Sequence, residues 1–463
     1  MTGGWDLHLE LDARGGVRAA LIRELRDAVR GGRLAPGTRL PSSRALAADL
    51  GVARNTVAEA YGELVAEGWL TARQGSGTRV AARSEPVRRR APARVPQRRA
   101  PAAPRRHHDL RTGRPDVSAF PRAAWLASAR RALTAAPSAA LGFGDAQGRP
   151  ELREALAGYL ARARGVRVAP ERVVVCQGFV EALELLARLL RCPMAVESYG
   201  LWMHREILER ARVPTVPLPV DGHGADVARL PESGARAVLL TPAHQYPTGA
   251  ALHPDRRAAV VDWARTTGGL VLEDDYDGEF RYDRQPVGAV QGLDPERVVY
   301  LGTASKSLSP GLRLGWMVLP QDLVEPVLAV KAERTSSTLD QLTLADFLVS
   351  GAYDRHVRAM RLRYRRRRDA LVAALAERHP HVRVTGIAAG LHAVLELPPG
   401  TEPDAVRGAA WQGLAVDGLA RFRHPAAPEA APADALVVGY GAPPEHAFAD
   451  ALDALCRALP AAP

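Results

Sequence analysis

Thr303-Ala304-Ser305-Lys306-Ser307-Leu308-Ser309-Pro310-Gly311-Leu312-Arg313-Leu314-Gly315 is the stretch that decides how this chain is read. It comes after the apolar run Val298 to Leu301, which reads as a buried strand, so its polar residues fall at that strand's carboxyl end. Ligands of open α/β sheets bind at that end. The chain holds 62 Lys+Arg, and only Lys306 and Lys331 are lysines. Where arginine has replaced lysine so widely, a retained lysine points to chemistry that arginine cannot do. A guanidinium stays protonated, whereas a buried amine can lose its proton and form a Schiff base. Lys306, flanked by hydroxyls and with Arg313 seven residues on, is read as that amine; Lys331 is read as an ordinary surface lysine.

Outward from this segment, 463 residues are too many for one domain and imply two or three. No apolar run approaches the ~18 residues needed to cross a bilayer. Met1 to Gly16 lack a basic-then-apolar leader pattern, so a cytoplasmic protein without membrane contact is expected. Cys176, Cys192 and Cys456 are few, scattered and odd in number, which argues against a disulfide framework or a clustered zinc site. No metal site is expected. The net charge of +11 is uneven: arginines 83, 88, 89, 90, 94, 98, 99, 105 and 106 face only Glu85 in one short stretch.

Toward the N-terminus, Val17, Leu21, Ile22, Leu25, Ala28 and Val29 recur at helical spacing and stop at Gly31-Gly32. Ser42 or Ser43 caps a short helix containing Leu46, Ala47 and Leu50. A third helix carries Val57, Ala60, Tyr61 and Leu64 on one face, leaving Arg54, Asn55 and Thr56 at its exposed start. Leu70 to Arg73 and Thr78 to Val80, around Gln74-Gly75-Ser76-Gly77, read as a hairpin. Two helices about a tight turn plus a hairpin make a winged helix-turn-helix, whose recognition helix presents its first residues to base edges. Residues 81 to about 108, rich in Pro, Arg and Ala, read as a semi-rigid linker whose arginines either touch phosphates or are simply solvated.

From Asp109 the composition becomes globular. Short apolar runs at Val173 to Cys176, Ala195 to Glu197, Ala237 to Leu240, Leu270 to Leu272 and Val298 to Leu301 alternate with helical patterns. That alternation implies an α/β domain with a mainly parallel sheet covered on both faces. From about residue 341 long helices and then a few strands, including Leu391 to Leu397 and Leu436 to Val438, suggest a smaller α+β subdomain. Arg355 to Arg368 suits one long helix and is read as a solvated basic face.

The run Ser305-Lys306-Ser307-Leu308-Ser309-Pro310-Gly311-Leu312-Arg313-Leu314-Gly315 resembles the cofactor-lysine segment of fold-type I aminotransferases, which bind pyridoxal phosphate (PLP). Glu273-Asp274-Asp275-Tyr276-Asp277-Gly278-Glu279-Phe280-Arg281-Tyr282 resembles their segment for the pyridine nitrogen. Leu40 to Val57 resembles the GntR signature, and together the pattern is similar to the MocR/GabR branch of GntR-type regulators. The resemblance divides the chain into a DNA-binding domain (1–80), a linker (81–108) and an aminotransferase-like domain (109–463).

What the resemblance implies is specific. Arg44, Arg54, Asn55 and Thr56 face DNA, with Gly75 to Gly77 as the wing tip. Ala53 stands where the family usually has serine, so the recognition helix loses a side-chain cap. Lys306 forms the Schiff base with PLP. Asp274, or alternatively Asp275, pairs with the pyridine nitrogen, and Tyr276 reaches the phenolic oxygen. Thr303, Ser305 and Arg313, with Gly178 at a helix start, hold the phosphate. Phe179-Val180-Glu181 depart from the small or polar residues usual there, and Tyr199 or Trp202 is the ring-stacking aromatic. An arginine for a ligand carboxylate is left unassigned between Arg421 and Arg423. The expected protein is a homodimer that binds a double-stranded operator and senses an amino compound or PLP itself, without efficient turnover. The rival readings are a working aminotransferase with a DNA-binding appendage, and a DNA-binding protein with an empty scaffold.

Overall fold

The apolar spacing of the first helix puts Leu21, Ile22, Leu25 and Ala28 on the buried face of α1 (Val17–Arg30) in the computed structural model of the chain. The described residues are 16–73, 77–82, 108–282, 287–427 and 434–460. They belong to two units, Met1–Pro101 and Ala102–Pro463. Most of the expected linker, and Gly75 at the wing tip, lie outside the described residues.

In the N-terminal unit α1 leads to α2 (Ser43–Leu50) and α3 (Arg54–Ala66), then to β1 (Leu70–Arg73) and β2 (Gly77–Val80). The two strands pair antiparallel from Leu70↔Val80 to Arg73↔Gly77, and Arg39 adds a bridge to Arg79. Leu25, Leu46, Val57, Leu64, Leu70 and Val80 share one core. Ser42 caps α2 by accepting from the Ala45 N–H, and Gly51 ends it in the left-handed region. Ala53 at the start of α3 provides no side-chain cap.

The second unit opens with β3 (His108–Asp109), α4 (Arg122–Ala135) and α5 (Pro150–Arg164). Strands and helices then alternate: β4 (Val173–Cys176), α6 (Phe179–Leu190), β5 (Met194–Glu197), α7 (Trp202–Arg210) and β6 (Thr215–Leu218). After a small hairpin of β7 (Val220–Asp221) and β8 (Gly224–Ala225) come β9 (Ala237–Leu240), α8 (Pro254–Thr267), β10 (Leu270–Asp274), β11 (Val298–Thr303) and β12 (Gly315–Val318). The seven-stranded sheet has the order β4-β12-β11-β10-β9-β5-β6. It is parallel except at β12, which runs antiparallel to β11 and β4. The strand residues are buried almost throughout, as their unbroken apolar runs require of a sheet covered on both faces.

Three helices, α9 (Val324–Lys331), α10 (Thr338–Val349) and α11 (Ala352–Arg378), lead into the smaller subdomain. It is built from β13 (Arg383–Thr385), β14 (His392–Glu396), α12 (Glu402–Trp411), β15 (Leu414–Ala415), β16 (Asp417–Gly418), β17 (Ala435–Gly439) and α13 (Glu445–Ala458). Its antiparallel sheet has the order β13-β14-β17-β16. The division falls later than residue 341. Leu344, Phe347, Tyr353 and Val357 pack with the large-domain core, and from Met360 onward α11 packs with the small one. One helix crosses both cores, which a change in sequence pattern does not reveal.

Two further expectations are corrected. Lys331 is 1% exposed, not a surface lysine, and donates to the Ala146 carbonyl. The arginines of α11 are not all solvated. Arg367 is buried against Asp116 at 3.0 Å, and Arg361 donates to the Glu279 carbonyl. Among the described residues no helix is long and apolar enough to cross a membrane.

The uncapped start of α3 yields a prediction. Ala53→Ser should stabilise the N-terminal unit by about 1 kcal/mol, the worth of a restored N-cap, as measured by urea unfolding of the two proteins.

Candidate functional site

Parallel pairing brings the carboxyl ends of β5, β9, β10 and β11 to one edge of the large sheet. Antiparallel β12 returns its first residue to the same edge, where Gly315 pairs with Thr303 and Cys176. Arg313, just before β12, therefore stands beside Lys306, just after β11. The approach is tight: a Cβ on Gly315 would lie 2.7 Å from the Gly178 Cα. Gly178 itself, at φ 90°, starts α6.

A cavity of about 480 Å³ opens at this edge. Lys306, Asp274, Tyr276, Thr303, Ser305, Arg313 and Gly178 all line it. Lys306 Nζ donates to the Gly113 carbonyl at 2.6 Å. Burial lowers its pKa, with Asp274 and Asp277 opposing, which favours a neutral, nucleophilic amine. Thr303 and Ser305 are linked through their hydroxyls at 2.9 Å. Arg313 sits in the left-handed region at φ 51°.

The two successive aspartates have separate environments. Asp275 accepts from buried Arg164 at 2.6 and 2.8 Å and from the Tyr300 hydroxyl at 2.7 Å. Asp274 faces the cavity, and its Oδ1 is buried without a hydrogen-bond partner. Burial pushes its pKa well above the usual carboxylate range, despite Lys306. Of the two candidates left open by the sequence, Asp274 is the one at the cavity.

Tyr199 is not brought to the cavity wall. Its backbone pairs with Arg423, and its side chain packs with a cluster that includes Tyr246, Leu419 and Phe422. Trp202 lines the cavity instead, because α7 begins there and turns its first residues inward. The sequence reading missed His204. It lies on the cavity wall with its ring 4.4 Å from that of Phe179, and burial with nearby Lys306 pushes its pKa down to about 3. Glu197 is also on the wall. Burial raises its pKa to about 7, although Thr241 and Gln245 donate to it. No motif singles out either residue.

The unusual Phe179-Val180-Glu181 segment is less hostile to an anion than its composition implies. The Glu181 carboxylate turns back to accept from the Gln177 N–H at 2.6 Å and does not line the cavity. The amide groups in the first turn of α6 remain available to an anion. Of the two arginines left open, Arg421 lines the cavity and Arg423 does not. Arg421 holds Asp417 at 2.8 Å and lies over the Trp202 ring at 3.9 Å.

PLP fits these residues. Its pyridine N–H would supply the donor that Asp274 Oδ1 lacks, its carbonyl would suit the amine of Lys306, and its phosphate would suit a guanidinium, hydroxyls and a helix start. In the N-terminal unit Arg44 is exposed on α2, Arg54 and Asn55 are exposed at the first turn of α3, and Thr56 is half-buried beside them. Gly77 begins β2 at φ 82°.

Residues 109–423 match the family model for aminotransferase class I and II, and residues 17–80 match that for bacterial regulatory proteins of the gntR family. The chain is 34% identical over 463 residues to the probable rhizopine catabolism regulatory protein MocR of Rhizobium meliloti, covering 94% of this chain and 92% of that one. It is 33% identical over 411 residues to the HTH-type pyridoxine biosynthesis transcriptional regulator PdxR of Corynebacterium glutamicum, covering 88% of each. An archaeal alanine:glyoxylate aminotransferase superposes with a TM-score of 0.69 at 25% identity, over 75% of this chain and 89% of that structure.

The two buried lysines give a discriminating test. Lys306→Arg should abolish the visible absorption of protein purified with PLP, and Lys331→Arg should leave it in place.

Proposed function

The chain belongs to the GntR-type transcriptional regulators that carry an aminotransferase class I and II domain, and from that premise we propose that an amine with an anionic group acts on it at Lys306 to change its hold on operator DNA. The observation that carries this reading is a DNA-reading helix in the same chain as a cavity that pairs a lysine with an unpartnered carboxylate. The architecture proposed is a DNA-binding domain over 1–80, a linker over 81–108 and a sensor domain over 109–463.

The residues that would hold the cofactor are Lys306 at its carbonyl carbon, Asp274 at the ring nitrogen and Tyr276 at the phenolic oxygen. Arg313, Thr303, Ser305 and the start of α6 after Gly178 would take the phosphate. When bound, PLP supplies an electron-withdrawing ring conjugated to a C=N bond, through which amines exchange with the lysine. Asp274 keeps the ring nitrogen protonated. Trp202 and Arg421, both on the cavity wall, would take the anionic end of an incoming amine.

Sensing is favoured over turnover by the state of Arg421. Its side chain is 52% exposed and already paired with Asp417, so it clamps a carboxylate less rigidly than fast proton transfer needs. Misplacement by about an ångström can cost ~100-fold in rate. The proposed route for the signal runs through Gly113. Gly113, whose carbonyl takes the Lys306 hydrogen, lies just after His108–Asp109, the first strand beyond the linker. When Lys306 is displaced or modified, that carbonyl loses its donor or regains it, and the segment from the linker is released or held.

A homodimer is part of the proposal. Leu126 and Leu133 on α4, Leu141, Phe143, and Leu339 and Val349 on α10 are exposed apolar residues of the kind a second subunit covers.

The experiments are direct. Purified protein should absorb in the visible, and borohydride should fix the cofactor to the peptide containing Lys306; a colourless protein indifferent to added PLP sinks the proposal. Amino acids and amines that shift the spectrum should change operator affinity, with little keto acid or aldehyde formed, and Arg421→Ala should weaken that response about tenfold or more, as loss of a charge-assisted contact implies. Rapid turnover with unchanged DNA affinity would favour the enzyme reading. In the N-terminal unit, Arg54→Ala should cost ~1–3 kcal/mol and relax preference at one position per half-site if Arg54 reads a base edge. Equal weakening on all sequences would make it a phosphate contact.

A further inference from the structure

Behind the cavity wall, Tyr276 backs onto a buried pair that the functions above do not use. His244 Nδ1 lies 2.9 Å from Asp277 Oδ2 and 3.0 Å from the Tyr276 hydroxyl. His244 and Asp277 are 3% and 2% exposed, so water does not compete for these contacts. Gly390 is packed on both side chains so closely that a Cβ there would overlap them. His392 lies beside His244 with ring centres 4.9 Å apart, and its Nε2 donates to the Pro247 carbonyl at 3.0 Å.

The chemistry of the partners sets the hydrogen positions. An ionised carboxylate only accepts, so the His244 nitrogen facing Asp277 must carry the hydrogen. Nδ1–H then lies between Asp277 Oδ2 and the oxygen of Tyr276. A phenol oxygen that is approached by a donor from behind has its own hydrogen free to point elsewhere. Its open side is the cavity, whose wall Tyr276 shares with Asp274 and Lys306. Burial, then the nearby Asp277, holds the Tyr276 phenol far above its usual pKa, so it keeps its hydrogen; the Asp277 carboxylate is the acceptor inside the protein that competes for it, and the His244 Nδ1–H, by occupying Asp277 Oδ2, turns it toward the cavity.

We propose that Asp277 and His244 are positioning residues: they fix the tautomer that makes Tyr276 present its hydroxyl hydrogen to the phenolic oxygen of the cofactor. The inference rests on the reading that the cavity holds PLP. It assigns work to two residues outside the cofactor's own contacts. A divalent metal at His244, Asp277 and His392 is the competing use of this cluster, since their ligand atoms lie within 4.8 Å of one another. The hydrogen-bond reading is preferred because His392 Nε2 and His244 Nδ1 already have protein partners.

The test uses full-length protein loaded with PLP and reads the pH at which its visible band changes. A donor to the phenolic oxygen stabilises the deprotonated chromophore, so losing it raises that midpoint. The titratable groups around Tyr276 are Asp274, Asp277, His244, His392, Tyr246 and Lys306, and the Asp277→Asn change removes the charge of only one. Asp277→Asn should raise the midpoint by about one unit, the size of one hydrogen bond to a charged group. Removal of a negative charge alone would lower it. Tyr276→Phe should raise it at least as far, and adding Asp277→Asn to Tyr276→Phe should move it no further.

An unchanged or lowered midpoint in Asp277→Asn overturns the proposal, as does an additive double variant or stoichiometric zinc lost with Asp277→Asn. If Asp277→Asn fails to hold the cofactor, His244→Gln is read by the same criteria. Loss of colour in both, with Tyr276→Phe still coloured, makes the pair structural and also overturns it. A colourless parent protein would instead sink the functional reading itself, so the two failures are distinguishable.

Discussion

A carboxylate oxygen buried without a partner at the end of β10 is the constraint around which the second unit is arranged. Burying such a charge is costly unless it is paired or neutralised. Asp274, Asp275 and Asp277 meet this problem in three ways within four residues. Side chains alternate across a strand, so Asp275 turns away from Asp274 and finds Arg164 and Tyr300. Asp277 lies past the strand and meets His244. Asp274 alone of the three looks into the cavity, where the nearby basic group is Lys306 and where a protonated ring nitrogen would complete its pairing.

The end of the cavity at Gly178 shows why residue type alone misleads. Phe179 and Val180 bring no hydrogen-bonding side chain, and Glu181 reads as repulsive. Yet three residues into a helix a glutamate can reach back to the backbone before the helix start, and Glu181 does so at the Gln177 N–H. The charge that looked like an obstacle is spent in holding the turn. Gly178 and Gly315 bring the backbones of β4 and β12 together there, leaving Arg313 and the start of α6 to line the cavity.

Much of this is legible in the order of the residues. The parallel strands show as unbroken apolar runs, and the lysine stands out because arginine has displaced almost every other one. The features that escape are those that depend on direction. Antiparallel β12 is a short segment behind the lysine loop, and nothing in Gly315 to Val318 announces which way it runs. Tyr199 and Trp202 are close neighbours in sequence and share one apolar cluster, yet only Trp202, at the start of a helix, also lines the cavity. Lys331 is misread because composition counts lysines without seeing that a helix end buries this one. His204, Glu197 and the His244–Asp277 pair belong to no spacing rule; they meet only when separate strands and loops converge.

The same convergence ties Lys306 to the segment that opens the second unit. The first strand after the linker holds its neighbour by only His108 and Asp109, against Leu414 and Ala415. So short a ladder contributes little by itself. Residues around and just beyond the strand keep the segment in place: Asp109 holds Arg111 and Arg114, Leu110 is gripped by Ala415 and Gly439, Thr112 meets Tyr246, and Gly113 meets Lys306. Several of these partners line the cavity or lie beside it. In the proposed mechanism a ligand that recruits Lys306, or draws Arg421 from Asp417 beside Arg111, would act on these attachments of the segment around β3. For the sensing proposed, a small change in hydrogen bonding there would suffice, because a regulator needs only a difference in ligand affinity between two states.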